Sequence, residues 1–152
     1  MRLTEQTRYA LRVLAYCAAH HPSVVQVHTV AQSIGLTEFT IFKLLRVATK
    51  AGLINTVRGR HGGIQLAQPP EAISIGIVVR AFEPRFNACA PAEKMAVDEG
   101  ETVDPTPLKV DRALGLGIAA FFRALDEMTV ADLVPTGDTS ADDLAARIEV
   151  AE

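Results

Sequence analysis

The chain has 152 residues, 15 Lys+Arg, 18 Asp+Glu, two cysteines and no tryptophan. That length can bury a core in one domain, or in a small domain with an appendage, without help from disulfides. The formal net charge of −3 conceals an asymmetry: residues 1–70 hold eight basic and two acidic side chains, and the remainder holds seven basic and sixteen acidic. A basic first half points to nucleic acid, and an acidic second half to other work. No run of about 18 apolar residues is free of charge, so no transmembrane helix is expected. The polar start MRLTEQTRYALR has no signal-peptide core. Cys17 sits in an apolar helical run, which makes a bridge to Cys89 unexpected and suits the reducing cytoplasm.

The spacing predicts a first helix from Thr4, its N-cap, to Ala19, with His20-His21-Pro22 ending it. The paired histidines suggest a metal site, but neighbours in sequence do not share a helix face, and a turn is expected instead. A second helix is expected from His28 to Ile34, stopped by Gly35 in a left-handed conformation. Thr37 then caps a third, with Leu36 and Ile41 as a hydrophobic staple. Ile41, Leu44, Leu45 and Ala48 face inward, leaving Glu38, Phe39, Phe42, Lys43 and Arg46 outside. Two short helices joined by a glycine turn are the sequence form of a helix-turn-helix. Phe39 and Phe42 are placed either to touch thymine methyl groups or to pack against a neighbouring element.

Leu53 to Leu66 holds two apolar, β-branched runs around a basic glycine turn, which predicts a hairpin, and beside a helix-turn-helix a hairpin is a wing. Gly59, Gly62 and Gly63 allow a tight tip that a phosphate can approach. Arg58, Arg60 and His61 are expected at phosphates or in the minor groove. A nucleotide-phosphate loop is the rival, but neither of its glycine motifs is present. After Pro69-Pro70, Ile73 to Phe82 is expected as a short helix or strand-helix segment closed by Glu83-Pro84. Residues from Asn87 to Pro107 lack periodicity and carry Cys89 with Glu93, Asp98, Glu99, Glu101 and Asp104. A long helix follows from Lys109 to Asp126. In it Val110, Leu114, Ile118, Phe121 and Leu125 form a seam for dimerisation or for packing on the first helix. Gly115 and Gly117 suit a close neighbour there, and residues 135–152 read as an acidic tail.

Together these motifs resemble the Rrf-type bacterial winged-helix regulators, which include iron–sulfur assembly, iron-responsive and nitric-oxide-sensitive repressors. The resemblance is carried by MRLTEQTRYALRVLAY, QSIGLTEFTIFKLLRVATKAGLI, NTVRGRHGGIQLAQPPEAISIGIVVRAFEP and FFRALDEMTVADLV. The R-G-x-x-G-G wing next to L-x-x-P is its most specific part, and ISIGIVVRAFEP is similar to the nitric-oxide-sensitive branch. The resemblance implies a mainly α fold with a small β wing: a winged helix-turn-helix over residues 1–84, a sensor loop over 85–108, a dimerisation helix over 109–134 and the tail over 135–152. It implies a homodimeric repressor on a pseudo-palindromic double-stranded DNA operator, with no membrane partner. The third helix (Thr37, Glu38, Phe39, Phe42, Lys43, Arg46) would enter the major groove, and the wing (Arg58, Arg60, His61) would take the flanking minor groove.

The sequence departs from the family at the cofactor. Members that hold a cluster carry three cysteines in the loop before the long helix. Here that loop has Cys89 alone, and the other two positions fall near Thr102 and Leu108. An aspartate that ligates from the partner subunit is replaced by Arg8. Cys89 is the one candidate cluster ligand, so a conventional iron–sulfur cluster is not expected. An atypical cluster shared across a dimer, or haem, stays open. Cys89 with Arg8 of the partner beside it is instead a candidate thiol sensor of nitric oxide or redox state, because a neighbouring cation favours the thiolate. No catalytic motif is present, so an enzyme is not expected. The alternative function is a protein-interaction module or small metal-binding protein working through the acidic loop and tail.

Overall fold

The computed structural model describes residues 3–87 and 106–135. Cys89, the acids from Glu93 to Asp104, Thr102 and the tail from residue 136 lie outside them. Helix α1 spans Glu5–Ala19. The Thr4 hydroxyl accepts from the Thr7 amide at 3.4 Å, and Glu5 lies in the first turn, where the helix dipole favours an acid. Thr7, Ala10, Leu14 and Cys17 recur at three- and four-residue steps and are buried. They form the stripe that packs on the remaining helices.

Helix α2 spans Val27–Ile34 and α3 spans Glu38–Lys50. Gly35 takes φ 65°, the Leu36 amide donates to the Ala31 carbonyl at 3.0 Å, and the Gly35 amide donates to Gln32. This is the Schellman closure that glycine permits at no steric cost. Thr37 accepts from the Thr40 amide at 3.2 Å, so the start of α3 is fixed as its sequence implies. The turn is held from the side as well, since the Arg12 guanidinium on α1 donates to the Ile34 carbonyl.

Strands β1 (Ile54–Val57) and β2 (Gly63–Leu66) pair antiparallel, with Ile54 opposite Leu66 and Val57 opposite Gly63. Ile64 also bridges to Val25 through two backbone bonds of 2.8 and 2.9 Å, which ties the wing to the α1–α2 connection. Ile54, Ile64 and Leu66 turn into the core.

Helix α4 spans Ile75–Phe82, with Ser74 as its cap. Both readings of the segment from Ile73 hold in part, because Ser74 bridges to Thr129 as a strand residue before the helix begins. Helical structure does not stop at Glu83-Pro84: a further turn, α5, spans Pro84–Asn87. Proline opens this turn because the first helical residue needs no donated bond. The long helix α6 spans Thr106–Asp126, beginning before Lys109.

The C-terminal end of α6 belongs to the same core as the winged unit. The Ile75 amide donates to Met128 at 2.8 Å, the Val130 amide donates to Ile73 at 2.9 Å, and Val130 is fully buried. Phe122 is buried, while Ile118, Phe121 and Leu125 are half-buried against the core. Earlier in α6 the pattern reverses, with Val110, Leu114 and Leu116 at 50, 62 and 65 % exposure. A side chain added at Gly117 would meet nothing within 4 Å, so no part of the described chain approaches closely there.

Two polar clamps position these helices. Arg80 on α4 donates twice to Asp126 at 2.7 Å, and its guanidinium lies 4.2 Å from the Phe122 ring centre. The Arg80 hydrogen bond holds the Asp126 carboxyl below its ordinary range. Gly76 lies directly beneath this pair, and a Cβ there would meet the Asp126 carboxylate and displace it. The second clamp is Glu83, 6 % exposed, which accepts from the Thr7 hydroxyl at 2.5 Å and the Thr4 amide at 2.6 Å. Burial pulls its carboxyl upward, but the bonds from Thr7 and Thr4 outweigh burial and the group ionises more readily than usual.

Candidate nucleic-acid interface

Helix α3 buries Ile41, Leu44, Leu45 and Ala48 and presents Phe39 and Phe42 to solvent at 68 and 53 % exposure. That exposure leaves both rings largely open in the described chain, available for either of the two roles considered for them. The Lys43 ammonium lies 4.3 Å from the Phe39 ring centre, a cation–π contact that keeps ring and charge side by side. Glu38, Lys43 and Arg46 are exposed, as is the cap Thr37. The predicted residues of α3 therefore lie together along one crest.

Between this crest and the wing runs an open groove of about 920 Å³. Phe42, Arg46 and Lys50 line it from α3, and Thr56 and Arg60 from the hairpin. Gln26 and His28, at the start of α2, close its end. Arg58 and His61 are exposed on the wing tip. The structure thus brings the α3 and wing candidates to one side of the molecule and adds Gln26, His28, Thr49, Lys50 and Thr56, which sequence reasoning had not nominated. The helical step from Arg46 to Lys50 was the available signal for the lysine. Lys43, Arg46, Lys50, Arg58 and Arg60 make no ion pair among the described residues, so their charge is offered outward.

The glycines of the wing need a different explanation from the expected one. Only Gly59 uses a left-handed φ, 111°. A Cβ at Gly62 would strike the Val57 carbonyl, and one at Gly63 the Val25 carbonyl. These two glycines are required by the chain's own backbone where the second strand leaves the turn of the hairpin, so room for a phosphate does not explain them.

Of the sensor candidates, Arg8 is exposed and pairs with Glu5 at 3.4 Å on its own helix, whereas Cys89 is outside the described residues. Cys17 is 1 % exposed, and burial pushes its thiol up to about 12. It is inert as a ligand or nucleophile. With two cysteines in the chain, Cys89 is the one thiolate left per subunit. That donor set does not fit a conventional iron–sulfur cluster, which takes four ligands, mostly thiolates. Among the described residues no group of three His, Cys, Asp or Glu side chains is placed to hold a metal. Of the dimerisation candidates, Leu114 is exposed, and Ile118, Phe121 and Leu125 pack partly buried against the chain's own core. No helix among the described residues is long and apolar enough to cross a membrane.

The model of the Rrf2 family, described as iron-dependent transcriptional regulators, matches residues 3–136. The chain belongs to the Rrf2 family. Two curated relatives are similar over most of their length. Protein aau3 of Rhizobium meliloti is 39% identical over 134 residues, 88% of this chain and 85% of that protein. The HTH-type transcriptional regulator NsrR of Geobacillus kaustophilus is 36% identical over 135 residues, 88% of this chain and 90% of that protein. Among solved structures, the oxidised form of Staphylococcus aureus CymR superposes with a TM-score of 0.65 at 25% identity, covering 91% of this chain and 100% of that one. CymR of B. subtilis, the global cysteine regulator of that organism, gives a TM-score of 0.63 at 24% identity over 97% of this chain and 98% of that one, which bears on fold. This Rrf2 chain is therefore a DNA-binding transcriptional regulator with a winged-helix fold, and not an enzyme.

Proposed function

We propose that the protein is a homodimeric repressor that lays α3 in the major groove of a pseudo-palindromic operator and sets Arg58, Arg60 and His61 against the flanking backbone and minor groove. One observation carries this reading: the groove between α3 and the wing, lined by Arg46, Lys50 and Arg60 with Phe42 at its lip. Cations on both walls match a phosphate backbone, and the exposed rings suit base edges bearing methyl groups. The exposed aliphatic stripe of α6, Val110 and Leu114 one turn apart, is where a second subunit would pack, and it is remote in sequence from α3. In a dimer the operator repeats the protein's two-fold symmetry.

The signal enters, in this reading, through residues 85–108. Because Cys17 is buried and inert, any thiol response to nitric oxide or another oxidant runs through Cys89. The resemblance of ISIGIVVRAFEP to nitric-oxide-sensitive repressors supports that choice of signal. The rival, an interaction or metal-binding module using the acidic loop and tail, rests on residues outside those described.

The deciding experiment is fluorescence anisotropy with a duplex taken from upstream of the protein's own operon. The wild type should form a saturable complex whose log affinity falls linearly with log salt. Arg58→Ala with Arg60→Ala should weaken it on every sequence and flatten the salt slope by roughly two phosphate contacts. No salt-sensitive complex, or a double variant that binds like the wild type, would overturn the reading. A Cys89→Ser variant whose DNA release by a nitric-oxide donor matches the wild type would remove the thiol from the signal path.

A further inference from the structure

Helix α3 is flanked by a second groove, on the side away from the wing. It has a volume of about 640 Å³ and runs between the C-terminal half of α3 and helix α4. Lys43, Arg46 and Lys50 form its α3 wall, and Arg80, Ala81 and Pro84 line the α4 side. No carboxylate lines it. The α4 wall presents little beyond small side chains, since the Arg80 guanidinium is turned to Asp126 by two bonds and stacked on Phe122. The open charges are those of α3. Lys43, Arg46 and Lys50 follow at steps of three and four residues, which puts them on one flank of the helix. Arg46 and Lys50 line both grooves, so they form the ridge between them.

A helix with its side chains is about 10–12 Å across, close to the roughly 12 Å width of the major groove. A helix seated there has one phosphodiester strand along each flank. The wing groove accounts for one strand, and the other flank of α3 has to meet the second. A flank lacking acids, with three cations and a low wall of alanine and proline, is suited to that meeting. A solvated helix face would more usually mix both signs.

We propose that the groove between α3 and α4 is a second phosphate-binding track, in which Lys50, with Lys43 and Arg46, binds the DNA backbone of the strand opposite the one held by the wing. The inference rests on the DNA-binding reading above and deepens it by assigning one strand to each flank of α3. It also gives α4 a role beyond packing: Ala81 and Pro84 keep the wall low enough for a phosphodiester to lie against α3.

The test uses the full-length protein, duplexes with a single neutral methylphosphonate linkage scanned along each strand, and the variants Lys50→Ala, Ala81→Glu and Arg123→Ala, the last as an exposed cation at the other end of α6. Lys50→Ala should lower affinity about fivefold at physiological salt, equally on specific and unrelated duplexes, and reduce the salt slope by about 0.9, the value of one phosphate contact. One neutral linkage should cost the wild type the same factor and cost Lys50→Ala nothing. That linkage should lie on the strand opposite the one whose neutralisation becomes silent in the Arg58 and Arg60 variants. Ala81→Glu, checked for an unchanged thermal midpoint, should weaken binding at least tenfold, and Arg123→Ala should leave it unchanged. An unchanged salt slope in Lys50→Ala, or silence on the same strand as the wing, overturns the proposal while the DNA-binding reading stands. Saturable tripolyphosphate binding that depends on Lys50, with no change in the DNA slope, overturns it in favour of a free phosphate ligand. Absence of any salt-sensitive duplex binding by the wild type would instead overturn the functional reading itself.

Discussion

Helices α3 and α6 both expose apolar side chains, and they do so in opposite ways. On α3 two aromatic rings, Phe39 and Phe42, stand among Lys43, Arg46 and Lys50, with an N-terminus pinned by Thr37. On α6 three aliphatic residues, Val110, Leu114 and Leu116, stand exposed at the far end of a helix whose other end is clamped by Arg80–Asp126 and by the strand-like return at Thr129. Rings interleaved with cations suit a surface that is itself charged and stacked, such as nucleic acid. Aliphatic residues with Arg112 as the one cation among them, and no aromatic ring, suit another apolar surface. Exposure alone does not distinguish a DNA surface from a protein surface; the neighbours of each exposed residue do.

Breaking the α6 side of that contrast should have the largest effect. Val110→Glu with Leu114→Glu places two charges in the proposed subunit interface. Sedimentation should show a monomer, and affinity for the palindromic duplex should fall by about 100-fold or more, because the second half-site is no longer bound intramolecularly. Affinity for a single half-site should barely change. A double variant that remains a dimer would show that the aliphatic face serves something else.

The next effect bears on the frame that holds α3 steady. Glu83→Gln replaces the carboxylate on Thr7 and Thr4 with an amide and should cost about 1–3 kcal/mol of stability, the range for disturbing a buried charged hydrogen bond. The sign with pH follows from the direction of the shifts. Glu83 and Asp126 both ionise below their ordinary range. Each therefore adds stability that is complete at neutral pH and is lost as pH falls through its folded-state value. Thermal midpoints between pH 7 and about 3 should fall less steeply in Glu83→Gln than in the wild type. Parallel curves would assign acid sensitivity to other groups.

The smallest effect concerns the exposed ring of α3. Phe39→Ala should leave the thermal midpoint unchanged, because the ring is 68 % exposed. It should cost about 1 kcal/mol of DNA affinity, the scale of one methyl contact, concentrated at one A·T position of the operator. A uniform loss across sequences would make the ring a spacer for Lys43 and remove it from base reading.

The features legible in the sequence are those set within a few residues. Thr37 caps α3, Gly35 closes α2, and the 3.6-residue stripe of α1 is buried as its pattern implies. The α3 crest and the basic wing were legible for the same reason, since helical spacing and a two-strand turn place charge locally. The wing glycines show the limit. Gly62 and Gly63 read as room for a ligand, yet they exist because Val57 and Val25 lie against them, and Val25 is far back in the chain. Lys50 reads as a helix-terminal lysine until α4 is seen to form the other wall of its groove. Gly76 gives no signal without Asp126, fifty residues later.

The sequence by itself determined the helix-turn-helix, the hairpin and the basic character of the first seventy residues, because caps, turns and charge spacing act over one or two turns of chain. It also determined that one thiol, that of Cys89, lies outside the apolar core pattern. The tertiary structure decided which charges work inward and which outward. Glu83 reaches 76 residues back to Thr7, and Arg80 reaches 46 residues forward to Asp126. Such pairs form only after chain closure brings distant segments together, so the local pattern carries no trace of them. They set α1, α4 and α6 in one frame and leave the cations of α3 unpaired on both of its flanks.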